Sequence, residues 1–194
     1  MLQVTCTLNG VSDLMFSKYV PEQKRDDETH DQRERRTWPQ KVAVTDAGQC
    51  FLQPFALKNC LESAAKWLSL KIPGERSKTF TKRFLSGVLV TEKLLLADGN
   101  GGLSMDDIDP MELFVPSDGV RGSGKRVIKM FPTLHSWQCE ASLLVFDNKI
   151  TEDVMARHLD AAGKFIGMGA MRAENGGING RFSVADLVCD EIKA

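Results

Sequence analysis

Two stretches with helical spacing, each bracketed by stretches with strand spacing, constrain this chain more than any other feature. In "PFALKNCLESAAKWLSL", Leu57, Leu61, Ala64 and Leu68 recur at helical intervals, and Pro54 suits a first turn. Pro73 and Gly74 are expected to end that helix. In "TEDVMARHLDAAGKFIG", Thr151 is the expected N-cap and Glu152 and Asp153 complement the helix dipole. Val154, His158, Ala161 and Phe165 form its stripe. Around these helices, Leu2, Val4, Cys6 and Leu8 alternate, as do Trp137, Cys139, Ala141, Leu143 and Val145. "FLSGVLVTEKLLLA", "KRVIKMF" and "GRFSVADLV" also read as strands, with a break expected near Pro132 to Ser136. "KVAVTDAGQCFLQP" reads as a hairpin turning at Asp46-Ala47-Gly48.

Reduced to its main elements, the order is strand, helix, two strands, helix, strand. That is the βαββαβ plan of an α+β, ferredoxin-like (RNA-recognition-motif-like) fold, an antiparallel sheet with two helices, here with an extra hairpin and inserted loops. A chain of 194 residues accommodates one such domain, 1–194, with insertions. Three insertions are expected. Residues 21–41 hold twelve charges and one Trp and read as a mobile charged segment. Residues 69–84 form a basic linker, and residues 98–125 a loop that passes from acidic to basic.

Several function classes are excluded on composition. The balance of 42% apolar and 26% charged residues is that of a soluble globular protein. No apolar run approaches the roughly 20 residues that span a bilayer, and the first ten residues lack a secretory pattern, so a cytoplasmic protein without membrane partners is expected. Five widely spaced cysteines without a CxxC read as reduced core thiols, and no metal or cofactor is expected. "GVRGSGKR" fits the start of a phosphate-binding loop at Gly119, Gly124 and Lys125. Arg126, however, stands where a Ser or Thr should hold magnesium, and a strand follows where a helix is needed. His30, His135 and His158 share no motif with a nucleophile and have no metal-ligand spacing.

The net charge of −1 hides a segregated distribution. Lys66 to Phe84 carries six basic residues against Glu75, and Arg121, Lys125, Arg126 and Lys129 form a second basic group with no acid among them. Between them, Leu94 to Val120 carries six acids and no cation. Such segregation can leave one face positive on a neutral molecule. Near the end, "GKFIGMGAMRAENGGINGRF" concentrates six glycines, with Lys164, Arg172 and Arg181 among or beside them. Exposed amides and cations in such a loop suit a phosphate backbone; a tight turn serving helix–sheet packing is the other reading. Trp67 and Trp137 are expected in the core. Trp38, in a segment that cannot bury it alone, is a candidate for stacking on a base.

The same glycine-rich ending resembles the C-terminal loop of the RAMP superfamily of CRISPR-associated proteins. Gly167, Met168 and Gly169 match its Gly-hydrophobic-Gly part, Arg172 its cation, and Gly176, Gly177 and Gly180 its second glycine group. "VTCTLNGVSDLMF" is similar to the first strand and turn of that superfamily, and "FLQPFALKNCLESAAK" to the strand-to-helix segment of its backbone subunits. The resemblance implies a modified RNA-recognition-motif fold that binds single-stranded RNA, often with subunits lined up along it. It makes Lys66–Phe84 and Arg25–Lys41 counterparts of inserted loops that reach over the nucleic acid. It also suggests a stand-alone relative encoded by a phage or mobile element. The chain is short for a full backbone subunit, and it offers no counterpart of an acidic target-cleaving loop.

Taken together, these features point to a non-enzymatic binder of single-stranded RNA or DNA, with self-association along the strand as a further expectation. Its expected contacts are Lys78, Lys82, Arg83, Arg121, Lys125, Arg126, Lys129, Lys164, Arg172 and Arg181, the glycine loop and Trp38. The alternatives are a protein-interaction module or assembly subunit of a larger nucleoprotein complex, and a metal-independent ribonuclease using His135 or His158.

Overall fold

The computed structural model describes every residue except Arg121, Ser123, Lys193 and Ala194. In chain order its elements are β1 (Leu2–Gly10), β2 (Leu14–Met15), α1 (His30–Thr37), β3 (Phe51–Leu52), α2 (Pro54–Leu68) and α3 (Thr81–Gly87). There follow β4 (Val88–Val90), β5 (Leu94–Leu95), β6 (Ala97–Asp98), β7 (Gly101–Gly102), β8 (Asp109–Pro116) and β9 (Arg126–Leu134). The chain ends with β10 (Gln138–Val145), α4 (Glu152–Ala161) and β11 (Phe182–Glu191).

The main sheet is antiparallel, with β11 beside β1, β1 beside β10, and β4 on the far side of β10. Taking β1, β4, β10 and β11 as the four strands of the plan, their spatial order is fourth, first, third, second. That is the arrangement of a ferredoxin-like fold, with α2 and α4 supplying the two crossovers. The alternation read from sequence explains why. Val4, Cys6 and Leu8 of β1 and Cys139, Ala141, Leu143 and Val145 of β10 are buried, and they face the helices through Leu57, Leu61, Ala64, Met155 and Leu159.

The outward face of the sheet is mixed, with Leu89 exposed opposite Leu144 at one end and charged residues farther along. Glu140 and Asp186 are exposed there, and with Glu92 they line a cleft of about 520 Å³ that contains the single cation Lys93. The outer face is therefore acidic at this point.

Three insertions depart from their sequence reading. Residues 21–41 contain α1, which starts in a capping box. Thr29 Oγ accepts from the Gln32 amide (3.2 Å), and the Gln32 side chain accepts from the Thr29 amide (2.8 Å). The helix is held by charge as well as by apolar area: Arg36 pairs with Glu22 and Glu28, and Glu34 meets Lys41 at 2.5 Å and the Met130 amide at 3.0 Å. Trp38, expected to be available for stacking, is half-buried against the core. In 69–84, Ser69 ends α2 in a left-handed turn well before Pro73, and α3 runs from Thr81 to Gly87, so "FLSG", the start of an expected strand, is helix.

The third insertion, 98–125, supplies β7, β8 and the turn of a long arm formed by β8 and β9. The arm runs through Pro132 without the expected break. Pro132 faces Pro110, and its carbonyl points away from β8 to accept the Phe16 amide (2.9 Å). The missing N–H is therefore not needed by the hairpin.

After α4 the helix widens over Ala162–Ile166 into a π turn. This rotates Phe165 out of the expected apolar stripe, and its ring stacks at 4.1 Å on Trp67, which is 56% exposed and not in the core. The glycine-rich segment then folds back on the chain that leaves β1. A Cβ on Gly180 (φ +72°) would sit 1.8 Å from the Met168 carbonyl oxygen, and one on Gly169 would sit 2.4 Å from that of Met15.

Gly180→Ala is expected to destabilise the fold by at least about 2 kcal/mol, through strained backbone and steric clash together. Gly48→Ala is the control. It has a similar φ of +84° but nothing within 4 Å, and should cost only about 1 kcal/mol. Urea unfolding of the two variants checks the difference, and equal losses would remove the close approach as the reason for Gly180.

Candidate nucleic-acid interface

The chain leaving β1 is gripped from two sides. Leu14 and Met15 pair with Leu134 and Thr133 of β9, while the glycine loop binds the same segment through Ala170 N–H to the Met15 carbonyl (2.8 Å) and Gly180 N–H to the Asp13 carbonyl (2.7 Å). Residues 15–19 thereby form one wall of a cleft of about 540 Å³. The first two turns of α2 form the opposite wall, and Gly167–Gly169 with Arg172 close one end. Its floor is apolar, with Met15, Phe51, Leu52 and Met168 buried. Its rim carries Tyr19, 79% exposed, and Phe55, 63% exposed.

Charge in the cleft comes from three cations, in different states. Lys41 is buried and committed, with Nζ 2.5 Å from Glu34 and 2.7 Å from the Met130 carbonyl. Arg172 is shared with Glu174 at 2.8 Å. Lys18 is exposed and has no side-chain partner among the described residues.

The glycine loop contributes backbone, though not in the expected way. The amides of Met168, Ala170, Gly177, Asn179 and Gly180 donate to carbonyls of the loop or of residues 13–15, and the Arg181 amide donates to Ser12 Oγ. These donors are spent on folding and are not presented to a phosphate. Gly169, Gly177 and Gly180, and less tightly Gly167, serve the close backbone approach, while Gly176 forms the left-handed turn after a short 3-10 segment.

The expected cations fall into separate groups. Arg83 binds Asp147 (2.6 Å) and Glu75 (2.8 Å), and Lys78 also meets Glu75 (3.2 Å), while Lys82 is exposed nearby on α3. Asp147 follows Val145, which pairs with Leu2 at one end of β1; the glycine loop holds Asp13, beyond the other end of β1. Those ends are about 25 Å apart at strand spacing, so the α3 group is remote from Arg181, whose amide bonds Ser12.

Lys125, Arg126 and Lys129 sit on the distal half of the arm. Arg126 covers the Phe114 ring at 5.4 Å and donates to the Phe114 carbonyl, and Lys129 reaches the Ser117 carbonyl at 3.5 Å. Lys164 pairs with Asp160 at 2.9 Å, and Arg181 is exposed. Arg121 lies outside the described residues.

Two residues that line the cleft escaped the sequence reading. Tyr19 and Phe55 sit in different segments, neither with a motif, and only the fold brings them to one rim. The exposed position of Phe55 next to Pro54, off the stripe of α2, is the one signal that sequence offers.

The histidines take structural places. His158 is buried, its ring stacked on Phe84 at 4.0 Å and its Nδ1 donating to the Val154 carbonyl; burial lowers its pKa. His135 lies between Asp109 (Nε2, 3.3 Å) and Asp13 (Nδ1, 3.2 Å), clamping the base of the arm to the segment after β1. Hydrogen bonds to Asp109 and then Asp13 raise its pKa above the ordinary 6.5. The folded ring thus holds its proton more tightly than the unfolded one. The clamp contributes fully below pH 6.5 and is lost as pH rises through the folded value.

No family model matches the chain, and no curated protein matches it. Among solved structures it is similar to Cmr6 from Pyrococcus furiosus, with 12% identity and a TM-score of 0.44 over 94% of this chain and 98% of that chain. Among the described residues, no helix is long and apolar enough to cross a membrane.

As pH rises from about 6 to about 8, the wild-type urea midpoint is expected to fall relative to that of His135→Gln. Circular dichroism at each pH measures it. Parallel pH profiles for the two proteins would remove the clamp.

Proposed function

We propose that the protein binds single-stranded nucleic acid, RNA or DNA, across the cleft beside the glycine loop, without catalysing a reaction. The observation that carries this reading is the convergence of two exposed aromatic rings, Tyr19 and Phe55, on one apolar-floored cleft with Lys18 and Arg172 at its edges. Unpaired bases stack on such rings, at about 1–3 kcal/mol per base, while cations track the phosphates. Bases within a duplex have no free face to offer. The segment carrying Lys18 leaves β2 beside β9, with Phe16 bonded to Pro132, and so leads toward Lys129, Arg126 and Lys125 of the arm as the continuation of the track. Arg181 belongs to the same end of the molecule, whereas Lys78, Lys82 and Arg83 lie beyond the reach of one short strand.

A second reading, a contact with a protein partner or with another copy in a larger nucleoprotein assembly, is favoured by the exposed stack of Trp67 on Phe165. The ribonuclease reading has less support. The His158 ring is sealed in the core, and both ring nitrogens of His135 are engaged by carboxylates.

Fluorescence anisotropy with a short labelled single strand at low salt tests the main reading. Binding should weaken as salt rises, and Lys18→Ala and Arg172→Ala should each weaken it and lower the slope of log K against log salt by about 0.7. Absence of binding at low salt, or variants that bind like wild type, would overturn it.

A further inference from the structure

The cleft holds more chemistry than a sequence-tolerant groove requires. Gln53 and Asn59 both line it, and neither carboxamide makes a hydrogen bond among the described residues. Gln53 stands just before α2 and Asn59 in its second turn, about 120° apart around the axis, with the small side chain of Ala56 between them at the cleft wall. Gln53 occupies the N-cap position, yet its side chain caps nothing. A carboxamide presents a donor beside an acceptor, and phosphates and stacked rings make no use of that pair. The edge of a base does.

Resting on the reading that single strands bind here, we infer that the cleft seats one unpaired base whose edge is read by Asn59 and Gln53, with adenine as the preferred base. Tyr19 and Phe55 supply the stacking faces, the apolar floor excludes water, and the carboxamides meet the base edge. Unpaired adenine gives each of two carboxamides its own two-bond match, N6–H with N7 on one edge and the second N6–H with N1 on the other, whereas uracil has a single N3–H to share and cytosine one such pair. A neighbouring phosphate falls to Lys18 or Arg172. The protein would then bind any single strand through charge and stacking, and select at one position within it.

The test uses the full chain and short labelled oligouridylates, either uniform or with one central adenine or cytosine. Wild type should bind the adenine-containing strand about tenfold more tightly than the uniform one, since a two-bond match is worth about 1–3 kcal/mol of discrimination. In Gln53→Ala/Asn59→Ala that ratio should fall to about one with little change for the uniform strand. Lys18→Ala should weaken all three strands alike and keep the ratio.

Equal binding of the three strands by wild type, preference for cytosine, or an adenine preference that survives the double substitution would each overturn the inference while leaving strand binding intact. Failure to bind any strand at low salt would instead overturn the reading on which it rests. Neither substitution removes a hydrogen bond among the described residues, and unchanged unfolding midpoints confirm that the readout is binding.

Discussion

The segment Asp13–Met15 is shared by three bodies of the molecule, and the rest of the functional architecture follows from how it is held. On one side it is a short strand of the arm's sheet, and on the other it takes two backbone hydrogen bonds from the glycine loop. The loop's grip works at backbone range and leaves no room for a side chain at Gly169, beside the Met15 carbonyl, while Gly180 is crowded by Met168 within the loop itself. The sheet of four strands, the arm and the loop after the last helix are thereby locked at one end of β1. The cleft is the space left between that lock and the start of α2. This accounts for a glycine-rich stretch where one or two glycines would complete an ordinary helix-to-strand turn.

The regular part of the fold was legible because burial imposes periodicity. Val4, Cys6 and Leu8 alternate, Leu57, Leu61 and Ala64 recur at helical spacing, and all are buried where the pattern puts them. Where structure is held by other forces, the pattern was silent. Helix α1 has almost no apolar side chains of its own and rests on Arg36, Glu34 and a capping box. The Thr29…Gln32 spacing was the available sign of its start. Proline suggested a break at 132, but a strand can carry one where its N–H would point away from its neighbour. The cleft was illegible for a further reason: Tyr19, Phe55 and Arg172 meet only through tertiary packing, and no spacing in the chain records that.

Charge shows the same divide. A count of cations cannot tell which are already used, and here Arg36, Lys41 and Arg83 are tied to carboxylates within the fold. Clusters that look continuous along the chain also separate in space, because α3 and the glycine loop stand at opposite ends of β1. The positive character available to a ligand is therefore smaller and more local than the sequence suggests.

Cys60 gives this arrangement a built-in reporter. Its thiol lines the cleft yet is buried, with Sγ 3.4 Å from the Gly167 carbonyl, and desolvation pushes its pKa up to about 12. At neutral pH it is a neutral thiol, without the nucleophilic anion that alkylating reagents capture. Its modification rate in the native protein thus clocks how often the glycine loop breathes away from the helix, on a timescale that a static picture does not record.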